Sequence, residues 1–158
     1  MDIIDDAAKA KKLRIAQKII KYKFQDEDLL WEALQAPGSN VTELRGQRLD
    51  QGNKALANLG DSVIALVIKH YGYKVHYNIG LINSELNTLA SNYRFTTLCD
   101  TTGLTACINA NPSQRDDIAP RLRADTLEAV VGAVYHESGI DKATLVIQTL
   151  GIIDKTIG

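Results

Sequence analysis

Apolar and polar positions along the chain recur mostly at helical spacing. From about Ala8 to Tyr22, charged residues alternate with Leu13, Ile15, Ile19 and Ile20, which predicts a first helix. The acids Asp26, Glu27 and Asp28 mark the start of a second, with Leu29, Leu30, Ala33 and Leu34 as its apolar stripe and Pro37-Gly38 as its stop. Ser39–Asp50 reads as a polar loop. A long helix is predicted from about Gly52 to Tyr71, with Leu56, Leu59, Val63, Leu66 and Val67 on its core face. Another is predicted over Ile79–Thr101, as one continuous element, followed by a short helix and loop to Asp117. Pro120 suits the first turn of a helix running to about His136; Gly139 ends that region, and Asp141 is the expected cap of a last helix through Leu150. No segment shows convincing strand alternation. The expectation is an all-α fold, with residues 1–158 forming a single domain.

Two of these helices carry features that a plain core helix avoids. Gly60 lies inside the long third helix and Gly132 inside the one that begins at Pro120. Each costs about 1 kcal/mol relative to alanine, a cost tolerated where another backbone approaches closely. Ala129 and Ala133 beside Gly132, and Ser62 and Ala65 beside Gly60, extend small-residue faces. The two helices are therefore expected to cross in contact, bringing Asp61 towards Asp125 and Glu128. Asp125 and Glu128, three apart, share a helix face. Three carboxylates in one place repel one another unless a cation lies between them. An all-oxygen donor set suits a hard ion such as magnesium, with manganese as a substitute, and such an ion suits phosphoryl chemistry. The competing reading is tight packing with the acids solvated at its rim.

Leu-Gly-Asp-Ser-Val at 59–63 and Ala-Asp-Thr-Leu-Glu-Ala-Val-Val-Gly-Ala-Val-Tyr at 124–135 resemble the two signature helices of the ribonuclease III catalytic domain. The Tyr22-Lys-Phe24 segment with its following amphipathic helix, the Asn83–Asn92 block and the Thr102-Gly-Leu104 turn are similar to further blocks of that family, in the same order. The resemblance spans about Ile15 to Gly151. It implies a helical endonuclease domain that forms a symmetric homodimer with a valley for double-stranded RNA, here as a domain-only member without a double-stranded-RNA-binding domain. It implies Asp61, Asp125 and Glu128 as magnesium ligands, with Asp61 and Glu128 the pair most needed for hydrolysis. Three positions depart from the pattern, two of them inside one motif: the family's Leu-Glu-Phe-Leu-Gly-Asp is Leu56-Ala-Asn-Leu-Gly-Asp61 here. Ala57 stands in place of a site glutamate, and Asn58 in place of the aromatic that contacts the partner protomer. Lys54 occupies a further acidic position.

Charge and composition change this picture at a few points. The net charge of −1 is low for a protein that grips phosphate backbones. The cations Lys9, Lys11, Lys12, Arg14, Lys18, Lys21 and Lys23 concentrate in the first helix and the turn after it, and read as a solvated face. Lys54, Arg115, Arg121 and Arg123, near the acids in sequence, are the candidates for phosphate contact. His70, His76 and His136 lack ligand spacing and are expected to be structural or exposed. Cys99 and Cys107 are too few for a disulfide scaffold or a zinc site and read as small core residues. The acidic start and the lack of a long apolar run point to an intracellular, cytoplasmic or nuclear protein with no membrane segment. The functional expectation is a magnesium-dependent endoribonuclease acting on double-stranded or structured RNA. Its rival is a catalytically degenerate RNA-binding or ribosome-associated scaffold; a hydrolase of small phosphate esters is a distant third.

Overall fold

The computed structural model describes residues 3–75 and 78–154. Their helices are α1 (Ile3–Ile20), α2 (Glu27–Ala33), α3 (Lys54–Val75), α4 (Ile79–Leu89), α5 (Asn92–Thr102), α6 (Pro120–Ser138) and α7 (Ile140–Thr149), with a 3₁₀ turn at Leu104–Cys107. The all-α expectation holds, with one addition. Two-residue strands β1 (Glu43–Leu44) and β2 (Gln47–Arg48) pair antiparallel inside the segment read as loop. Their turn residues Arg45 and Gly46 both have positive φ, 53° and 73°, as a tight hairpin requires. Arg45 is held in that conformation by its Nε, which donates to Asp26 at 2.9 Å. Strands this short leave no alternation to detect.

α6 is the central helix. Every residue from Thr126 to Val134 is buried, so packing surrounds it on all sides in this stretch. Its most extensive partner is α3. Both glycines lie at that crossing: a Cβ on Gly60 would run into the Glu128 carbonyl, and one on Gly132 into the Leu56 carbonyl. The same added atoms would come within 3.1 Å and 3.0 Å of the other glycine's backbone nitrogen. The close approach inferred from the small residues is therefore a contact of backbone against backbone.

A buried polar cluster sets where α3 begins. Asn53 donates through its side-chain amide to the Ala33 carbonyl at 2.8 Å and to Thr126 Oγ1 at 3.0 Å. Its own N–H reaches the Gln35 carbonyl at 2.8 Å. This ties the first turn of α3 to the residue that follows Asp125. At the other end of α6, Glu137 accepts from the Tyr22 hydroxyl at 2.6 Å and from the backbone N–H groups of Gln25 and Asp26, both at 3.0 Å.

Three expectations need correction. The single helix over Ile79–Thr101 is two helices, broken at Ala90-Ser91. Ser91 caps α5 by accepting from the Arg94 N–H at 3.1 Å. The Arg94 guanidinium takes the Leu89 carbonyl at 2.9 Å and the Gly151 and Ile152 carbonyls at 2.7 Å. The broken end is thereby satisfied by a residue that also anchors the turn after α7. Secondly, Asp141 does not cap α7; Gly139 holds that position and Asp141 lies in the first turn. Thirdly, Leu66, expected on the core face of α3, is exposed. Cys99 and Cys107 are buried and unpaired, and burial pushes both thiols up to about 11, which suits inert core residues. No helix among the described residues is long and apolar enough to cross a membrane.

Candidate active site

Residues 54, 57, 58 and 61 follow the i, i+3, i+4, i+7 rule and form one stripe on α3; residues 121, 125 and 128 form a similar stripe on α6. The glycine crossing sets these stripes face to face. Between them lies a cleft of 540 Å³ lined by Lys54, Ala57, Asn58, Asp61, Arg121, Asp125 and Glu128, with Asn92 contributed by the start of α5. All three predicted acids share this cleft. Asp61 is exposed at its edge, Asp125 is largely covered, and Glu128 is only 7% exposed.

The electrostatics follow from that gradient. Burial, the charge of Asp61, a hydrogen bond between the two carboxyls, and the charge of Asp125 together push Glu128 up to about 8, against the opposing effect of Arg121. The Glu128 carboxyl thus keeps a proton at neutral pH and directs it to Asp61. Asp125 has a different partner: Arg121 Nε donates to its Oδ1 at 3.2 Å. In this arrangement no three Asp, Glu, His or Cys side chains among the described residues are placed to hold one ion. What the cleft does offer is a hydrogen-bonded carboxyl pair whose Glu128 proton can be lost. Magnesium needs only one or two carboxylates and otherwise keeps its waters. The donor chemistry fits such an ion, with Asp61 and Glu128 as the primary holders.

The other predicted residues divide by position. Lys54 and Arg121 line the cleft; Arg115 and Arg123 do not. Arg123 donates to Asp100 at 2.7 Å and to the Ile118 carbonyl at 2.8 Å, bracing α6 against α5 and the preceding loop. Arg115 is exposed and reaches the Ala110 carbonyl at 3.4 Å. Asn58 lies exposed in the cleft wall. His70 lines a separate groove between α3 and α7 and His136 is exposed; His76 lies outside the described residues. Several N-terminal cations, among them Lys9, Arg14, Lys21 and Lys23, line a groove along α1 that shares no residue with the acidic cleft. Asn92 had not been singled out. Its place in a matching block was the signal available, but only the break before α5 puts it at the cleft.

Comparison with known proteins gives the family and the fold. Residues 26–154 match the family model described as Ribonuclease-III-like. The chain is similar to Ribonuclease 3 of Caenorhabditis briggsae, 29% identical over 140 residues, covering 85% of this chain and 12% of that protein. It is 30% identical to Ribonuclease 3 of Campylobacter curvus over 139 residues, 84% of this chain and 58% of that one. Against Ribonuclease 3 of Syntrophotalea carbinolica it is 27% identical over 152 residues, 90% and 63% of the two chains. The chain thus spans less than two thirds of the length of these curated relatives. Among solved structures, the nuclease domain of ribonuclease III from Campylobacter jejuni superposes with a TM-score of 0.73 at 23% identity, covering 89% of this chain and 92% of that domain. A second structure of that domain, described for flexibility in a region involved in its dimer formation, gives 0.72.

Proposed function

Since this chain belongs to the Ribonuclease-III-like family, we propose that it is a divalent-metal-dependent endoribonuclease domain that hydrolyses phosphodiester bonds in double-stranded or structured RNA. The observation that carries this reading is the convergence of Asp61, Asp125 and Glu128, from two crossing helices, on one cleft. Magnesium is the expected ion, with manganese able to replace it. When bound, it supplies Lewis-acid stabilisation of charge building on the reacting phosphate. Asp61 and Glu128 would hold it, with Glu128 giving up its proton, and Asp125 would complete the set. Lys54 and Arg121 place positive charge at the same cleft, where phosphate oxygens would lie. Water adds to phosphorus and the bond to the 3′ oxygen breaks. Duplex RNA would be read by shape, through phosphate and 2′-hydroxyl contacts.

A homodimer is part of the proposal. α4 has no buried residue, and Ile79, Leu81 and the neighbouring Tyr93 present large apolar surface to solvent at 78%, 53% and 84% exposure. Asn58 would contribute a polar contact where relatives of the resembled pattern carry an aromatic. In this proposal residues 1–158 form one domain.

One observation favours a second reading, a degenerate fold that binds RNA without cutting. Ala57 is buried and lines the cleft, setting a methyl group where the family pattern has a carboxylate. Incubation with long duplex RNA at low salt in magnesium, manganese or EDTA separates the two. Metal-dependent cutting that is lost in Asp61→Asn and Glu128→Gln supports the nuclease; metal-independent binding with no cutting by the wild type supports the binder.

A further inference from the structure

Arg121 and Asp125 form an i, i+4 ion pair across the rim of the cleft, with Nε 3.2 Å from Oδ1. The two ends differ in exposure: the arginine side chain is 73% exposed and the aspartate 13%. The pair engages the one cleft acid that the Asp61–Glu128 hydrogen bond does not. With the side chains so placed, no three acids among the described residues are arranged around an ion. We infer that Arg121 is a positioning residue that couples RNA engagement to ion loading, by releasing Asp125 when an RNA phosphate takes its guanidinium. This rests on the metal-dependent reading above and specifies how that site is completed.

The physical basis is competition for one guanidinium. A phosphate presents two or more oxygens in the fork geometry that guanidinium matches, whereas Asp125 is held here through Nε alone, at 3.2 Å. Arg121, mostly in solvent, can turn to a phosphate without unpacking α6. Asp125 stays in the cleft because its side chain is largely covered, and Glu128 lies one turn along the same face. Freed of its cationic partner, Asp125 adds negative charge next to the Asp61–Glu128 pair, and the site gains affinity for a divalent ion. By thermodynamic reciprocity, the ion must then strengthen RNA binding by the same factor. Conversely, with an ion bound Asp125 would serve the site and Arg121 would be left for the phosphate.

The test uses a fluorescein-labelled, 2′-O-methylated RNA duplex, which resists cutting, and fluorescence anisotropy in EDTA and in saturating Mn²⁺. The ratio of the two dissociation constants is the coupling factor. Mn²⁺ binding to the RNA-free protein is measured by isothermal titration calorimetry. Arg121→Gln is expected to lower the coupling factor by about 2–5-fold, the range of a partly exposed ion pair, and to tighten Mn²⁺ binding without RNA by a similar factor. Arg121→Lys, which keeps the charge, recovers part of the coupling. Were Arg121 only a nearby positive charge, Arg121→Gln would tighten Mn²⁺ equally with and without RNA, and an unchanged coupling factor overturns the inference. Absence of Mn²⁺ binding to every form overturns the metal reading and this inference together, so the two failures are distinguishable.

Discussion

Replacing Gly60 with alanine adds one methyl group at the point where α3 and α6 touch. In an ordinary helix that change is favourable by about 1 kcal/mol. Here the new carbon would lie inside the Glu128 carbonyl and within 3.1 Å of the Gly132 nitrogen. A carbon–oxygen contact needs about 3.3–3.6 Å, so the helices must separate by on the order of 1–2 Å. Neither obstructing atom is the end of a flexible side chain; both are helix backbone. Overpacking of this type costs about 1–3 kcal/mol and sometimes more, and a rigid contact belongs at the upper end. After subtracting the helix-propensity gain, a net loss of about 2 kcal/mol remains. For a domain of this size, that lowers the melting temperature by roughly 4–8 °C. Urea denaturation followed by circular dichroism measures the free energy, and a thermal melt gives the temperature. Gly80→Ala is the matched control: its added carbon meets only the Asn78 side chain, at 3.2 Å. It should leave stability unchanged or raise it by up to about 1 kcal/mol. If Gly60→Ala proved as stable as the wild type while Gly80→Ala behaved as expected, backbone contact at the crossing would be the wrong explanation for Gly60.

Two further outcomes follow from the cleft. Glu128 is protonated in the fold up to about pH 8 but ionised in the unfolded chain above about 4.5. The folded state therefore binds the extra proton in that window, and stability without divalent ion falls as pH rises through it, by on the order of 5 kcal/mol over the whole window. Glu128→Gln should flatten this fall, and added Mg²⁺ should reduce it in the wild type; denaturation midpoints between pH 5 and 9 decide, and an unaltered slope in Glu128→Gln contradicts the assignment. Ala57→Glu restores a carboxylate to a buried position among acids, so it should lower the melting temperature in EDTA yet reduce the Mg²⁺ concentration needed for half-maximal cleavage. A raised or unchanged requirement in a cleavage titration would show that position 57 does not face the ion.

Helical periodicity carried most of the helices and their order, because a stripe of apolar residues at 3.6 spacing needs no partner to be recognised; the hairpin and the break between α4 and α5 were outside its reach. The crossing of α3 and α6 was legible for a similar reason. Gly60 and Gly132 are costly in any helix, and among such costs close backbone approach is the commonest compensation. Asp61, Asp125 and Glu128 could then be assigned to one region before any distance was known. What depended on the fold were choices between nearly equal local states. Ser91 can continue a helix or cap one, and the Arg94 contacts to Leu89, Gly151 and Ile152 decided for the cap. Arg45 accepts positive φ because Asp26 is within reach. Arg121, Arg115 and Arg123 are indistinguishable as letters. Only the packed structure pairs the first with a cleft acid, ties the third to Asp100 and leaves the second on the surface. Charge pairing depends on side-chain positions resolved to within an ångström or so, and for Arg123 the partner comes from another helix, 23 residues away.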